Sequence, residues 1–219
     1  MTDSDDAQAR FAADVDDLVS RDEDLAGIVL EYGVPTFWHR PPGFPALALL
    51  ILEQQVSLAS AAACFCNLRD LIGGVTPDAV LRSTPEETRS AGVSRQKDRY
   101  LRALAEAVSS RALDLAGLET LSDDEARAAL TALPGIGRWT ADTYLLSCLQ
   151  RPDIWPVGDR ALQVAVGETL GTPTVPTPAE LDDLGQRWIP RRSNAARLLW
   201  HGYLTRRGRV ETPNDILQG

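Results

Sequence analysis

The chain has 219 residues, 44% of them hydrophobic, and a formal net charge of −9. This is enough for a substantial core in one domain or two lobes; no apolar run reaches the roughly 18 residues of a membrane span, and the acidic start lacks the basic-then-apolar pattern of a secretory signal. The charge argues at first against a nucleic-acid partner, but residues 1–31 hold ten acids and two arginines, a charge of −8, which leaves only −1 on residues 32–219.

The pattern is helical almost throughout. Residues 7–19 and 23–32 read as two short helices, and 33–44, with Pro35, Trp38, Arg40, Pro41 and Pro42, as an ordered loop. Residues 45–71 are strongly apolar and predict one long buried helix, ended at Gly73-Gly74. Thr76-Pro77-Asp78 and Thr84-Pro85-Glu86-Glu87 are helix starts with Pro at the first helical position. Residues 94–112 form the next helix, with apolar positions Leu101, Leu104 and Val108. A helix over 121–130 capped by Ser122 and another over 140–149 flank the turn Leu133-Pro134-Gly135-Ile136-Gly137. Asp159 caps a helix over 160–170, Thr177 and Glu180 make a capping box for one running through Trp188, and Ser193 begins the last, to about Arg206.

Strand-like alternation is weak everywhere, so the fold class is all-α. The element order suggests two helical lobes: a bundle over 45–132, and a second lobe in which residues 1–44 pack with 159–219, joined through 133–158. A cleft between them, with the 133–141 hairpin at its mouth, is the natural site.

The hairpin carries the first chemistry. A Pro-Gly-Ile-Gly turn aims backbone N–H groups outward at a helix start, where the dipole favours an anion such as a nucleic-acid phosphate. Between Gln186 and Val210 lie seven arginines and no acid: Arg187, Arg191, Arg192, Arg197, Arg206, Arg207 and Arg209. They can neutralise phosphates, which predicts a steep fall of affinity with salt; a solvated helix face is the plain alternative. Cys64, Cys66 and Cys148 read as buried thiols of a reducing compartment, since no C-x-x-C pair or fourth ligand marks a metal site. Lys97 is the single lysine beside 21 arginines, so few amines are available for Schiff-base chemistry.

Five segments in order resemble the helix-hairpin-helix base-excision DNA glycosylases, and within them the 3-methyladenine DNA glycosylase II (AlkA-like) branch. They are Ile51-Leu52-Glu53-Gln54-Gln55-Val56-Ser57, Gly92-Val93-Ser94-Arg95-Gln96-Lys97, the hairpin Leu133 to Ala141, Pro156-Val157-Gly158-Asp159-Arg160-Ala161-Leu162, and Trp188-Ile189-Pro190-Arg191-Arg192-Ser193. The similarity covers about residues 45–204. It implies two helical lobes with a DNA-binding cleft, and a soluble monomer acting in the cytoplasm, at a bacterial-type nucleoid, on double-stranded DNA containing damaged bases.

The resemblance also assigns roles. Asp159 matches the catalytic aspartate: breaking an N-glycosidic bond develops positive charge on the sugar, which a fixed carboxylate stabilises. Asp142 and Asp153 are weaker candidates for that part. Trp139 stands where bifunctional members carry a Schiff-base lysine, so a monofunctional enzyme that releases the base without cutting the strand is implied. Trp139 and Trp200 match aromatic walls of the base pocket, suited to an electron-poor, cationic base; Gln54, Thr143 and Trp38 are further pocket candidates, with Phe37 and Tyr203 behind them. Thr143 replaces a tyrosine of the better-known member. Gln55 aligns with the wedge that fills the gap left by a flipped base. Amides around Gly135, Ile136, Gly137 and Thr140 would hold the phosphate, and carbonyls of Thr131, Leu133 and Ile136 a structural monovalent cation. No cofactor is required, and three cysteines are too few for a four-thiolate iron–sulfur cluster. Alkylated purines of the 3-methyladenine type are the implied substrates; the alternatives are deaminated or oxidised bases, or a non-catalytic helix-hairpin-helix DNA-binding protein.

Overall fold

In the computed structural model, residues 3–209 and residue 217 are described. Among them are twelve α-helices and two 3₁₀ turns, and no strand. None of these helices is long and apolar enough to cross a membrane. The chain divides into two compact units, one of residues 3–38 and 151–209, the other of residues 39–150.

The 39–150 unit is built around α3 (Phe44–Glu53). This helix is apolar on every side, and eight successive residues, Ala46 to Glu53, are buried. A helix without a polar face belongs at the centre of a bundle, and α3 packs against α4 (Leu58–Ile72), α7 (Arg95–Ser109) and α9 (Arg138–Ser147). Around it lie α5 (Pro77–Arg82), α6 (Pro85–Ser90) and α8 (Asp123–Thr131). Thr76, Thr84, Ser94 and Ser122 cap α5 to α8 as their spacing predicts.

The long helix expected over 45–71 is in fact two. The chain leaves α3 at Gln54, passes through Gln55 at φ 60°, and restarts at Ser57, whose hydroxyl accepts from the Ser60 amide. Apolar periodicity runs through the break and hides it; Ser57 as an N-cap within the run was the available signal. The thiols also differ from expectation, since Cys64 and Cys66 are only half-buried while Cys148 is buried.

The other unit holds α1 (Asp3–Arg21), α2 (Glu23–Tyr32), α10 (Arg160–Leu170), α11 (Pro178–Gly185) and α12 (Arg192–Arg206). Here α12 packs against α1, α2 and α10. The acidic leader is therefore structural. Asp22 caps α2 through the amides of Asp24 and Leu25, accepts the Trp188 indole N–H at 2.8 Å, and pairs with Arg187 at 2.8 Å. Asp14 and Asp17 pair with Arg191 at 2.7 and 2.6 Å. With the Asp22 side chain only 6% exposed, Asp22→Ala is expected to lower stability by about 2 kcal/mol, the scale of losing a cap and leaving a buried indole N–H unpaired. Urea unfolding measures it, and an unchanged midpoint would refute the structural role of the leader.

Candidate active site

The hairpin follows α8. Ile136 is buried, and its amide donates to the Leu133 carbonyl at 3.2 Å, closing the turn. Its N–H is thus committed to the fold and is not offered to a ligand. The amides of Gly135 and Gly137 have no acceptor among the described residues. Gly137 is the N-cap of α9 and supplies no side-chain cap, whereas Ser, Thr or Asp side chains cap α2, α4 to α8, α10 and α11. The Gly135 and Gly137 amides, at the entry to α9, are the kind of donor that an anion needs.

The two glycines serve different ends. Gly135 has φ +85°, and a Cβ there would lie 2.1 Å from Cγ of Tyr100. Tyr100 is on α7, so the backbone of the turn rests directly on that ring. Gly137 has φ −85° and open space where its Cβ would be; only an incoming group calls for glycine there. Thr140 is 1% exposed, so its hydroxyl is not offered to a ligand.

That hydroxyl is engaged by Gln54. The Gln54 carboxamide nitrogen donates to the Gly135 carbonyl at 2.8 Å and to Thr140 Oγ1 at 3.0 Å. The residue expected in the base pocket is thus first a brace between the end of α3 and the hairpin. The same α3 terminus is held by Lys97, whose Nζ donates to the Leu52 carbonyl at 2.7 Å, and by Arg40, which grips Glu53 with two bonds of 2.9 and 2.7 Å. Three consecutive residues, 52 to 54, are anchored, and the next, Gln55, is exposed in the left-handed region, a strained setting for a non-glycine residue. Sequence reasoning missed this clamp because its partners lie 13 to 86 positions away. Gln54→Leu removes both donated bonds, each worth about 1 kcal/mol, and is expected to weaken DNA binding and slow base release about tenfold with helicity intact. Single-turnover assays beside circular dichroism check this; wild-type rates would dismiss the brace.

The carbonyls of Thr131 and Ile136 accept no hydrogen bond from the described residues, while that of Leu133 already accepts from Ile136. Neutral main-chain oxygens left unpaired at a turn fit a monovalent cation.

On α9, Trp139 is half-buried and Thr143 lies one turn further along. Thr143 is 8% exposed and its Oγ1 has no hydrogen-bond partner. Asp142, between them in sequence, is fully buried and held by Arg127 at 2.6 Å and Arg138 at 3.3 Å. Burial pushes its carboxyl up and the two guanidiniums pull it back. It is a structural pair.

In the other unit, Asp159 is half-buried and caps α10, its Oδ1 accepting the Leu162 amide at 2.7 Å. The same oxygen accepts the indole N–H of Trp200 at 3.2 Å. Trp200 lies 6.3 Å from Trp38 in a tilted pair. Behind Trp38 is the buried Arg197, whose guanidinium lies 4.5 Å from the Trp38 ring and 4.9 Å from Phe37, and which donates to the Trp38 carbonyl. Asp159, Trp200 and Trp38, far apart in sequence, come together. Tyr203 stacks with Arg207 instead, at 3.9 Å. Asp153, the other weaker candidate, is bound to Arg192 and to the Arg192 amide, fastening the start of α12.

The arginine-rich end does not stand free. Arg187 and Arg191 pair with the acidic leader, Arg192 with Asp153, Arg206 and Arg207 with Glu168, and Arg197 is buried. A run of like charge in sequence becomes a set of internal ion pairs because the acids that match it arrive from α1, α2, α10 and the 151–159 loop. Six of the seven arginines of this segment are thus paired or buried within the fold, and Arg209 is exposed.

The fold and these residues define an all-helical helix-hairpin-helix protein whose Gly135 and Gly137 amides have no acceptor among the described residues and whose Asp159 is held by two donors. Residues 49–191 match the family of HhH-GPD superfamily base excision DNA repair proteins. The chain is similar to the alkylbase DNA glycosidase-like protein mag2 of Schizosaccharomyces pombe, 27% identical over 84% of this chain and 89% of that protein. Its structure is similar to the DNA-3-methyladenine glycosidase of Bacillus halodurans, with TM-score 0.76 and 30% identity, covering 94% and 96% of the two chains. It is also similar to the 3-methyladenine DNA glycosylase Mag1 of S. pombe in complex with abasic DNA, with TM-score 0.74 and 26% identity, covering 86% and 95%. The chain belongs to the HhH-GPD superfamily, in its 3-methyladenine glycosylase branch, and is a DNA N-glycosylase of base excision repair.

Proposed function

We propose that the protein is a monofunctional glycosylase that extrudes alkylated purines of the 3-methyladenine type from duplex DNA and hydrolyses their N-glycosidic bond. The observation that carries this reading is the setting of Asp159. Its Oδ1 is fixed by the Leu162 amide and the Trp200 indole, so a carboxylate is oriented by donors beside an aromatic face. As the bond to the base lengthens, positive charge grows on the deoxyribose, and a preorganised anion stabilises that charge. The carboxylate also orients the water that attacks the sugar. An alkylated purine is already a good leaving group, so no separate general acid is needed.

Binding is assigned to the other unit. The amides of Gly135 and Gly137 and the first turn of α9 hold a backbone phosphate, with Thr131, Leu133 and Ile136 carbonyls able to hold a monovalent cation that adds positive charge there. Gln55, on its clamped base, enters the stack where the target nucleotide leaves. Trp139 in this unit, and Trp200 and Trp38 in the other, each offer a face for an electron-poor ring. The buried hydroxyl of Thr143, without a hydrogen-bond partner among the described residues, offers a hydrogen bond one turn along α9 from Trp139. The protein acts as a monomer on nucleoid DNA in the cytoplasm, with no redox cofactor.

The hairpin has Trp139 where an amine nucleophile would stand, so water rather than lysine attacks. A base-release assay on duplexes carrying 3-methyladenine, 7-methylguanine, hypoxanthine, ethenoadenine and 8-oxoguanine tests the reading, with borohydride added to parallel samples. Release of alkylated purines with no trapped protein–DNA adduct is expected. Release confined to deaminated or oxidised bases would move the substrate class, a trapped adduct would overturn the monofunctional mechanism, and no release from any duplex would leave a DNA-binding protein.

A further inference from the structure

Arg89, Arg95 and Arg99 surround a hollow of about 250 Å³ between α6 and α7. All three are exposed, and none of their guanidiniums has a hydrogen-bond or ion-pair partner among the described residues. Arg40, Arg102, Arg127, Arg187, Arg191, Arg192 and Arg207, by contrast, each hold a carboxylate. Of the two acids on α6, Glu87 is committed to the Thr84 amide, and Glu86 makes no ion pair with Arg89 among the described residues. Arg95 and Arg99 are also four apart on one helix, an arrangement of like charges that destabilises it in the absence of a counter-ion.

Asp98 lines the same hollow. It is 8% exposed; its Oδ2 accepts from Arg102, while Oδ1 is buried and has no hydrogen-bond partner. A hydrated anionic group answers both features. Its oxygens accept from the guanidiniums, and its bound water donates to the carboxylate.

We propose that Arg89, Arg95 and Arg99 form a second phosphate-binding site, distinct from the hairpin, that takes a phosphodiester of the DNA backbone. Two observations favour DNA over other anions. First, α7 carries both Arg99 and Tyr100, and Tyr100 is the ring beneath Gly135, so the hollow is built on the helix that supports the phosphate-binding turn. Second, the arginines at 187–207 are occupied internally, so in a chain of net charge −9 the charge that neutralises phosphates has to come from other cations, and these three are clustered and unpaired. The DNA assignment rests on the glycosylase reading only for the nature of the partner.

The test is equilibrium binding of the full chain to undamaged duplex across a salt series, which needs no base release and so stands apart from the activity assay. Each phosphate contact contributes a slope of about 0.9 in log K against log salt. Arg89→Gln/Arg95→Gln/Arg99→Gln is expected to reduce the slope by about 2 to 3 and the affinity at least about tenfold, with helicity kept and melting no lower, because the three side chains make no hydrogen bond or ion pair among the described residues. Arg111→Gln, which removes an exposed arginine outside the hollow, should keep the wild-type slope. A triple variant with unchanged slope and affinity overturns the proposal. So does a variant that still binds DNA normally but loses binding to polyglutamate, since that would assign the hollow to an acidic protein.

Discussion

Asp159→Asn is expected to lower the rate of base release at least about a hundredfold while leaving DNA affinity within about threefold, the scale of losing a key electrostatic group from a preorganised site. The substitution is informative because it removes the charge and keeps the Oδ1 acceptor. An asparagine Oδ1 still accepts the Leu162 amide and the Trp200 indole, the two bonds that Asp159 Oδ1 makes. Helix α10 keeps its cap, and the tryptophan keeps its place. The negative charge is gone, and with it the stabilisation of the developing cation on the sugar. Asp159→Ala differs: it also removes the cap, at about 1 kcal/mol, and frees the indole. Single-turnover release from a 3-methyladenine duplex measures the first effect and thermal melting the second. Near-normal release by the asparagine variant would sink the mechanism.

The second large effect separates the two glycines of the hairpin. Gly135→Ala places a methyl group 2.1 Å from Cγ and 2.3 Å from Cδ2 of Tyr100, at φ +85°. The left-handed conformation costs alanine about 1 kcal/mol, and overpacking adds about 1–3 kcal/mol. The expected result is a loss of about 3 kcal/mol in stability, or a displaced turn with DNA affinity down at least about tenfold. Gly135→Ala combined with Tyr100→Ala relieves the clash but not the backbone strain, and should recover part of the loss. Gly137→Ala meets no atom within 4 Å and should stay within about 1 kcal/mol of wild type in stability. Its methyl group nonetheless stands where the phosphate approaches, so binding should fall alone. If both variants change stability and binding in parallel, Gly137 has a structural role and the phosphate assignment of the turn is wrong.

Much of this was legible in the chain because local signals dominate it. Thr76, Thr84, Ser94, Ser122, Asp159 and Thr177 announce helix starts through side chains that satisfy amides two or three residues on, and the structure has helices at each. The motif around Asp159 was equally readable, since the cap and the candidate catalytic carboxylate are one residue. What escaped were hydrogen bonds and ion pairs between distant side chains. Gln54 as a brace depends on a carbonyl 81 positions away. The break at Gln55 was hidden because burial of α3 and α4 continues the apolar pattern across it. The arginines of 187–207 looked like a phosphate-binding run until Asp14, Asp17, Asp22, Asp153 and Glu168 were found against them.

By itself, then, the sequence determined the helical class, most helix boundaries, the Pro-Gly-Ile-Gly turn, and the family with its aspartate, because capping, turn chemistry and motif spacing act over a few residues. The tertiary structure alone decided which charges are consumed inside the fold and which remain outside it. Ion pairing depends on through-space distance: it turned an acidic leader and a basic end into mutual partners, and left Arg89, Arg95 and Arg99, unremarkable in sequence, as a clustered set of cations without an ion pair among the described residues.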